Sequence, residues 1–186
     1  NGSRYNLNFA KRREFGMKAK ILKSYLYALV WIVVLVAADQ LTKWLAVVNL
    51  KNRDALVLIP GVFELQYLEN RGAAFGIFQG KQFLFMIGAV LVFLVILFFY
   101  RKIPIGRRFF PLRFCAVLIC AGAAGNMIDR IFLNYVVDFF YFSLIDFPIF
   151  NVADCYVVIA CFLFAILILF IYKDEELGCF SLKSGR

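Results

Sequence analysis

The sequence predicts an all-α integral membrane protein, a four-transmembrane-helix bundle with a small extracytoplasmic β element. Three observations carry that prediction. The chain of 186 residues is 63% hydrophobic and holds 23 phenylalanines, well beyond the roughly half-apolar usage of water-soluble domains. Four of its runs approach the ~20 apolar residues that a helix needs to cross a hydrocarbon core. Between the first two runs, VFELQYLEN alternates, with Phe63, Leu65 and Tyr67 on one side and Glu64 and Gln66 on the other, the period of a half-buried strand.

The first sixteen residues, NGSRYNLNFAKRREFG, are polar and basic and stop just before Met17, so residues 1–16 are set aside as a vector-derived leader. A single domain over 17–173 follows. Span one is expected at about 22–47, interrupted by Asp39 and Lys43. An extracytoplasmic segment, 48–81, holds the strand. Span two, 82–100, carries no charge, and span three covers 109–132. The second extracytoplasmic segment, 133–151, is rich in aromatic residues, which suits the membrane interface. Span four covers 152–172, and 174–186 is a cytoplasmic tail.

Orientation follows from the short basic flanks. Lys18, Lys20 and Lys23 precede span one; Arg101, Lys102, Arg107 and Arg108 join spans two and three; Lys173 follows span four. These segments, and both termini, are therefore expected on the cytoplasmic side. The stretch from Lys18 to Ala38 also imitates a secretory signal, with Val36 and Ala38 at cleavage spacing. Cleavage there would leave three spans and termini on opposite sides, and the basic residues near Lys173 argue for an uncleaved anchor instead.

The net charge of +9 is accounted for by topology and attraction to anionic lipid, so no nucleic-acid partner is expected. The chain has no histidine, which removes Ser-His and Cys-His catalysis and the imidazole ligands of zinc. Five cysteines without a C-x-x-C pair read as small apolar helix residues. No metal and no cofactor is expected.

On this topology the polar residues converge on the extracytoplasmic face. Asp39 and Lys43 fall near the outer end of span one, Asn70 and Arg71 in the first outer segment, and Asn126, Asp129 and Arg130 at the end of span three. Asp138 lies in the next loop, with Asn151 and Asp154 where span four begins. Asn126 with Asp129, and Asn151 with Asp154, are spaced i, i+3, so each pair shares one helical side. Ionisable residues at membrane depth are costly and face a bundle interior or a wet cavity. Asp129 with Arg130, and Asp39 with Lys43, also read as ion pairs that stitch helix ends. Asp138 and Asp154 have no basic residue within four positions. Two carboxyls held together in a pocket of low dielectric share a proton and can serve as acid and base in turn. On spacing alone, helix capping explains them as well. The loop NRGAAFG, 70–76, has small residues that admit close backbone approach by a peptide or lipid chain, or form a plain turn. Asp146 reads as an ordinary turn residue.

The segments DQLTKW (39–44), NRGAAFG (70–76), GNMIDR (125–130), VVDFF (136–140) and FNVADC (150–155) resemble, in order and spacing, the motifs of the signal peptidase II family, the lipoprotein signal peptidases. The resemblance implies a bacterial inner-membrane aspartyl endopeptidase that removes the signal peptide from prolipoproteins just before the diacylglyceryl-modified cysteine. It implies a membrane-embedded prolipoprotein as partner in the phospholipid bilayer and sensitivity to globomycin-type inhibitors; a monomer is the default expectation. By position, Asp138 and Asp154 match the catalytic dyad and Asp129 a supporting carboxylate. Asn126, Arg130 and Asn151 match residues that orient dyad and substrate, and Asp39, Asn70 and Gly72 match others lining the site. The alternatives are a small proton-coupled transporter, which expects internal repeats or broken helices, and a non-catalytic membrane scaffold whose polar residues only tie helices together.

Overall fold

One helix, α1 (Gly2–Leu50), runs without interruption and extends past residues 22 and 47 at both ends. Its sequence holds no proline and only isolated glycines, so nothing stops propagation. It ends where Asn52 turns into the left-handed region at φ 59, a common helix stop. The computed structural model describes residues 2–72 and 82–180, with side chains from residue 14 onward and excluding that of residue 179. The AAFG part of the loop, 73–76, and the end of the tail, 181–186, lie outside the described residues.

The other long helices lie where apolar runs were expected. Helix α2 (Gln82–Tyr100) matches 82–100. Helix α3 (Phe110–Leu133) starts with Pro111 in its first turn, where a missing N–H costs nothing, and stops at Asn134 in the left-handed conformation. Helix α4 (Val152–Ile166) continues into a π-helical turn over Leu167–Ile171. A short α5 (Asp174–Leu177) follows. Four helices are thus long and apolar enough to cross a membrane.

Helix α3 packs against α1, α2 and α4. It can do so because the face it buries is built of small residues, including Ala116, Cys120, Ala121, Gly122 and Gly125. A methyl group on Gly122 would sit 2.5 Å from the carbonyl oxygen of Ala153 and 2.6 Å from Val157 Cγ2. Only glycine permits that approach of α3 to α4. Cys115, Cys120, Cys155 and Cys161 are free thiols, as expected of helix-packing residues.

The segments that follow α1 and α3 form a three-stranded antiparallel sheet, in the order β1 (Leu56–Ile59), β2 (Phe63–Asn70), β3 (Val136–Tyr141). The alternation in VFELQYLEN located β2. The segment after span three is corrected: Asp138 stands on a strand, not in a loop. VVDFFY shows no alternation because its first four residues are buried on both faces. Strand β3 pairs Asp138 with Leu68 and Val136 with Asn70, beyond an irregularity between Leu65 and Leu68. Val137 and Phe139 then pack on Ala46 and Leu50 at the end of α1, which holds the sheet against the helices.

Candidate functional site

The site is built where the ends of α1, α3 and α4 meet β2 and β3. Asn151 and Asp154 open α4 as a reciprocal cap: Asp154 N donates to Asn151 Oδ1 at 3.1 Å, and Asn151 N donates to Asp154 Oδ2 at 3.1 Å. Capping leaves each side chain a free end. Asp154 Oδ1 accepts from Asn126 Nδ2 at 2.8 Å. Asn151 Nδ2 reaches Asp138 Oδ1 at 2.6 Å and Asn126 Oδ1 at 3.0 Å. The second oxygen of Asp138 accepts from Asn70 Nδ2 at 2.8 Å, and Asn70 Oδ1 accepts from the backbone N–H of Gly72 at 3.0 Å. Two asparagines, 126 and 151, therefore link the two carboxyls and aim them.

Behind this row lies a buried ionic cluster. Lys43 Nζ stands 3.0 Å from Asp39 Oδ2 and 3.0 Å from Asp129 Oδ2, and donates to Asn126 Oδ1 at 2.9 Å. Asp39 is wholly buried and also accepts from the backbone of Ala153 at 2.9 Å, while Asp129 accepts from the backbone of Val137 at 3.0 Å. Gln40 Nε2 lies 2.9 Å from Asp129 Oδ1. One cation thus ties α1 to α3, and the two carboxylates tie those helices to α4 and β3. The expected Asp39–Lys43 pair forms, but Asp129 pairs with Lys43 instead of Arg130. The reason is direction, since successive helical residues point about 100° apart. Arg130 turns away to lie over the Phe85 ring at 4.5 Å, with Nη2 3.5 Å from the carbonyl oxygen of Gly72. Its Nε is buried without a hydrogen-bond partner among the described residues.

A cavity of about 630 Å³ opens onto these groups. Asn70, Gly72, Asn126, Arg130, Asp138 and Asp154 line it, whereas Asp39, Asp129 and Asn151 do not: they lie behind the wall and hold it. The rest of the lining is mostly apolar, including Phe142, Phe147, Ile149, Phe150, Val158 and Ile159. Asp138 is only 1% exposed. Burial, and then the neighbouring charge of Asp154, push its carboxyl up to about 7, against the opposing pull of the bonds from Asn70 and Asn151 and the charge of Lys43. A carboxyl that titrates near neutral pH is suited to acid–base chemistry at a carbonyl.

Sequence reasoning named Lys43 only as half of a local pair and missed Gln40 and Gly125. A methyl group on Gly125 would lie 2.5 Å from Asp39 Oδ2 and 3.2 Å from Ala153 Cβ. Gly125→Ala is accordingly expected to push Asp39 off its partners and cost about 1–3 kcal/mol. Gly88→Ala, which meets nothing within 4 Å, is expected to leave stability unchanged or raise it by up to ~1 kcal/mol. Thermal unfolding of both variants in detergent checks the contrast, and equal melting temperatures would refute it.

Residues 31–170 match the family described as Signal peptidase (SPase) II. The chain is 42% identical over 145 residues to the lipoprotein signal peptidase of Streptococcus thermophilus, covering 78% of this chain and 92% of that one. It is 40% identical over 152 residues to that of Halothermothrix orenii, covering 81% and 99%. Two solved structures, each described as a bacterial membrane enzyme obtained by the in meso method, share its fold. The one at 2.3 Å resolution has a TM-score of 0.68 at 29% identity over 86% of this chain and 94% of that one. The one at 1.9 Å has 0.67 at 31% identity over 78% and 94%.

Proposed function

Because this chain belongs to the signal peptidase II family, we propose that it is an intramembrane aspartyl endopeptidase that cuts prolipoproteins just before the diacylglyceryl-modified cysteine, with Asp138 and Asp154 as its catalytic pair. One observation carries the reading. Asn126 and Asn151 hydrogen-bond to one another and to the two carboxyls, whose side chains share one cavity. That cavity is polar around the carboxyls and mostly apolar elsewhere, a division suited to a peptide backbone beside the carboxyls and acyl chains along the rest.

In the proposed reaction one carboxyl is protonated and donates to the oxygen of the scissile carbonyl. The other, ionised, takes a proton from a water whose oxygen attacks the carbonyl carbon. The tetrahedral gem-diol collapses as one carboxyl gives its proton to the leaving nitrogen and the other takes a proton from a gem-diol hydroxyl, so that the C–N bond breaks, a new carboxylic acid forms and the pair again holds one proton. Arg130, which lines the cavity, is placed to meet a substrate carbonyl. Asp39, Asp129 and Lys43 act through Asn126 and the backbone of α4 and β3, as positioning residues. The same reading puts the site at the periplasmic face of the inner membrane, with the basic segments and both termini in the cytoplasm.

The test is direct: purified protein is incubated with a diacylglyceryl-modified prolipoprotein and loss of the signal peptide is followed by gel shift. An uncut substrate would overturn the proposal. The pH profile adds a sign. With Asp138 raised to about 7, the shared proton is present below that value and lost above it. The cleavage rate is therefore expected to fall as pH rises through about 7, approaching tenfold per unit beyond it. A rate that stays flat from pH 6 to pH 9 contradicts the shared proton.

A further inference from the structure

The end of the bundle remote from the carboxyls holds a second cavity, of about 610 Å³, between the middle of α1, the α2–α3 turn and the start of α3. Sixteen residues separate Lys23 from Asp39 on α1, and sixteen separate Arg113 from Asp129 on α3. At a rise of about 1.5 Å per residue each interval spans roughly 24 Å, so this cavity lies at the opposite membrane surface.

The lining changes character with depth. At the mouth stand Lys20, Lys23 and Arg107, all exposed and without an ion-pair partner among the described residues. Further along α1 and α3, toward the bilayer centre, the walls are Tyr27, Trp31, Phe114 and Val117. Among the described residues no carboxylate lines the cavity. Glu14, one turn before Lys18, is committed to that lysine at 2.7 Å, and Glu176 to Arg108 at 3.0 Å. A fourth cation forms a rigid part of the wall. Arg113 donates to Ser24 Oγ at 2.6 Å and to the carbonyl oxygens of Ile103 and Pro104, and lies 4.5 Å from the Tyr100 ring centroid. It adds positive potential that cannot swing away.

A ligand matching this gradient has an anionic head at the interface and a long apolar tail directed into the membrane. We infer that the groove binds one anionic phospholipid, its phosphate among Lys20, Lys23 and Arg107 and an acyl chain along Tyr27, Trp31 and Phe114. Tyr27 and Trp31 are 68% and 55% exposed in the protein alone, so the chain enters sideways from the bilayer without any opening of the helices. The inference concerns lipid binding and is independent of the peptidase reading.

Native mass spectrometry of the full chain in detergent tests it, with phosphatidylglycerol and phosphatidylcholine of identical acyl chains as probes. The expected result is a one-lipid adduct about tenfold or more stronger for phosphatidylglycerol. The triple variant Lys20→Gln, Lys23→Gln, Arg107→Gln is expected to bring it to the phosphatidylcholine level, while the charge-preserving variant Lys20→Arg, Lys23→Arg, Arg107→Lys keeps it. Inorganic phosphate is expected not to displace the lipid. Equal adducts for the two lipids, an unchanged adduct in the Gln variant, or displacement by phosphate alone would each overturn the assignment. Prolipoprotein cleavage in detergent is expected to be the same in all three proteins, so the two readings stand or fall separately.

Discussion

Asp138→Asn is expected to lower prolipoprotein cleavage by on the order of 10³-fold while the protein stays folded, and Asp154→Asn to do the same. The substitution keeps size and removes only the exchangeable proton and the charge. At Asp138, two amide donors converge on the carboxyl, from Asn151 at 2.6 Å and Asn70 at 2.8 Å. An amide there accepts from one and opposes the other, a loss of about 1–3 kcal/mol. The buried negative charge is removed at the same time, which offsets part of it. Stability therefore moves little while the chemistry stops. The scaffold alternative predicts the reverse, normal processing by both variants. Cleavage at the unsubstituted rate by either one, with melting temperature and yield alongside, would end the assignment of the pair.

Lys43→Met is expected to be the most damaging single change for the fold. It keeps the length of the side chain and removes the cation held 3.0 Å from Asp39 and from Asp129. Both carboxylates are almost fully buried, and taking away the one partner of a buried charge costs about 3–5 kcal/mol. In a chain of this size that corresponds to an apparent melting temperature lower by roughly 10 °C. The double variant Lys43→Met, Asp129→Asn removes part of the stranded charge. It is expected to melt above the single variant, a coupling that two independent sites would not show. A single variant as stable as the parent would mean that the cluster is neutral or solvated.

Much of this was legible in the sequence, for identifiable reasons. Span two carries no charge and is bounded by Lys81 and Arg101, so 82–100 coincides with α2. Asp39, Asn126, Asp129, Asp138 and Asp154 stood out because ionisable and amide groups in apolar surroundings are rare without purpose. What stayed hidden depends on partners distant in the chain. Strand β3 gave no alternation, since both its faces are covered. Asp129 looked like a partner of Arg130, because adjacency in sequence says nothing of the direction each side chain leaves a helix. Lys43 showed its i+4 neighbour but not Asp129, and Gly125 showed nothing of the carboxylate beside its Cα. The split into residues that line the cavity and residues that stand behind it is likewise a property of the packed helices.

The reciprocal cap that opens α4 has a mechanical consequence. Because Asp154 closes the cap, the level at which this helix begins and the level of that carboxyl are a single quantity. One residue inserted ahead of Asn151 can be absorbed in the preceding segment, but one inserted between Asn151 and Asp154 swings the acid by about 100° out of register with Asn126. At the far end of the same helix the turn over Leu167–Ile171 departs from regular winding. The helix thus has a fixed level at the carboxyl rim and its irregular turn at the other end.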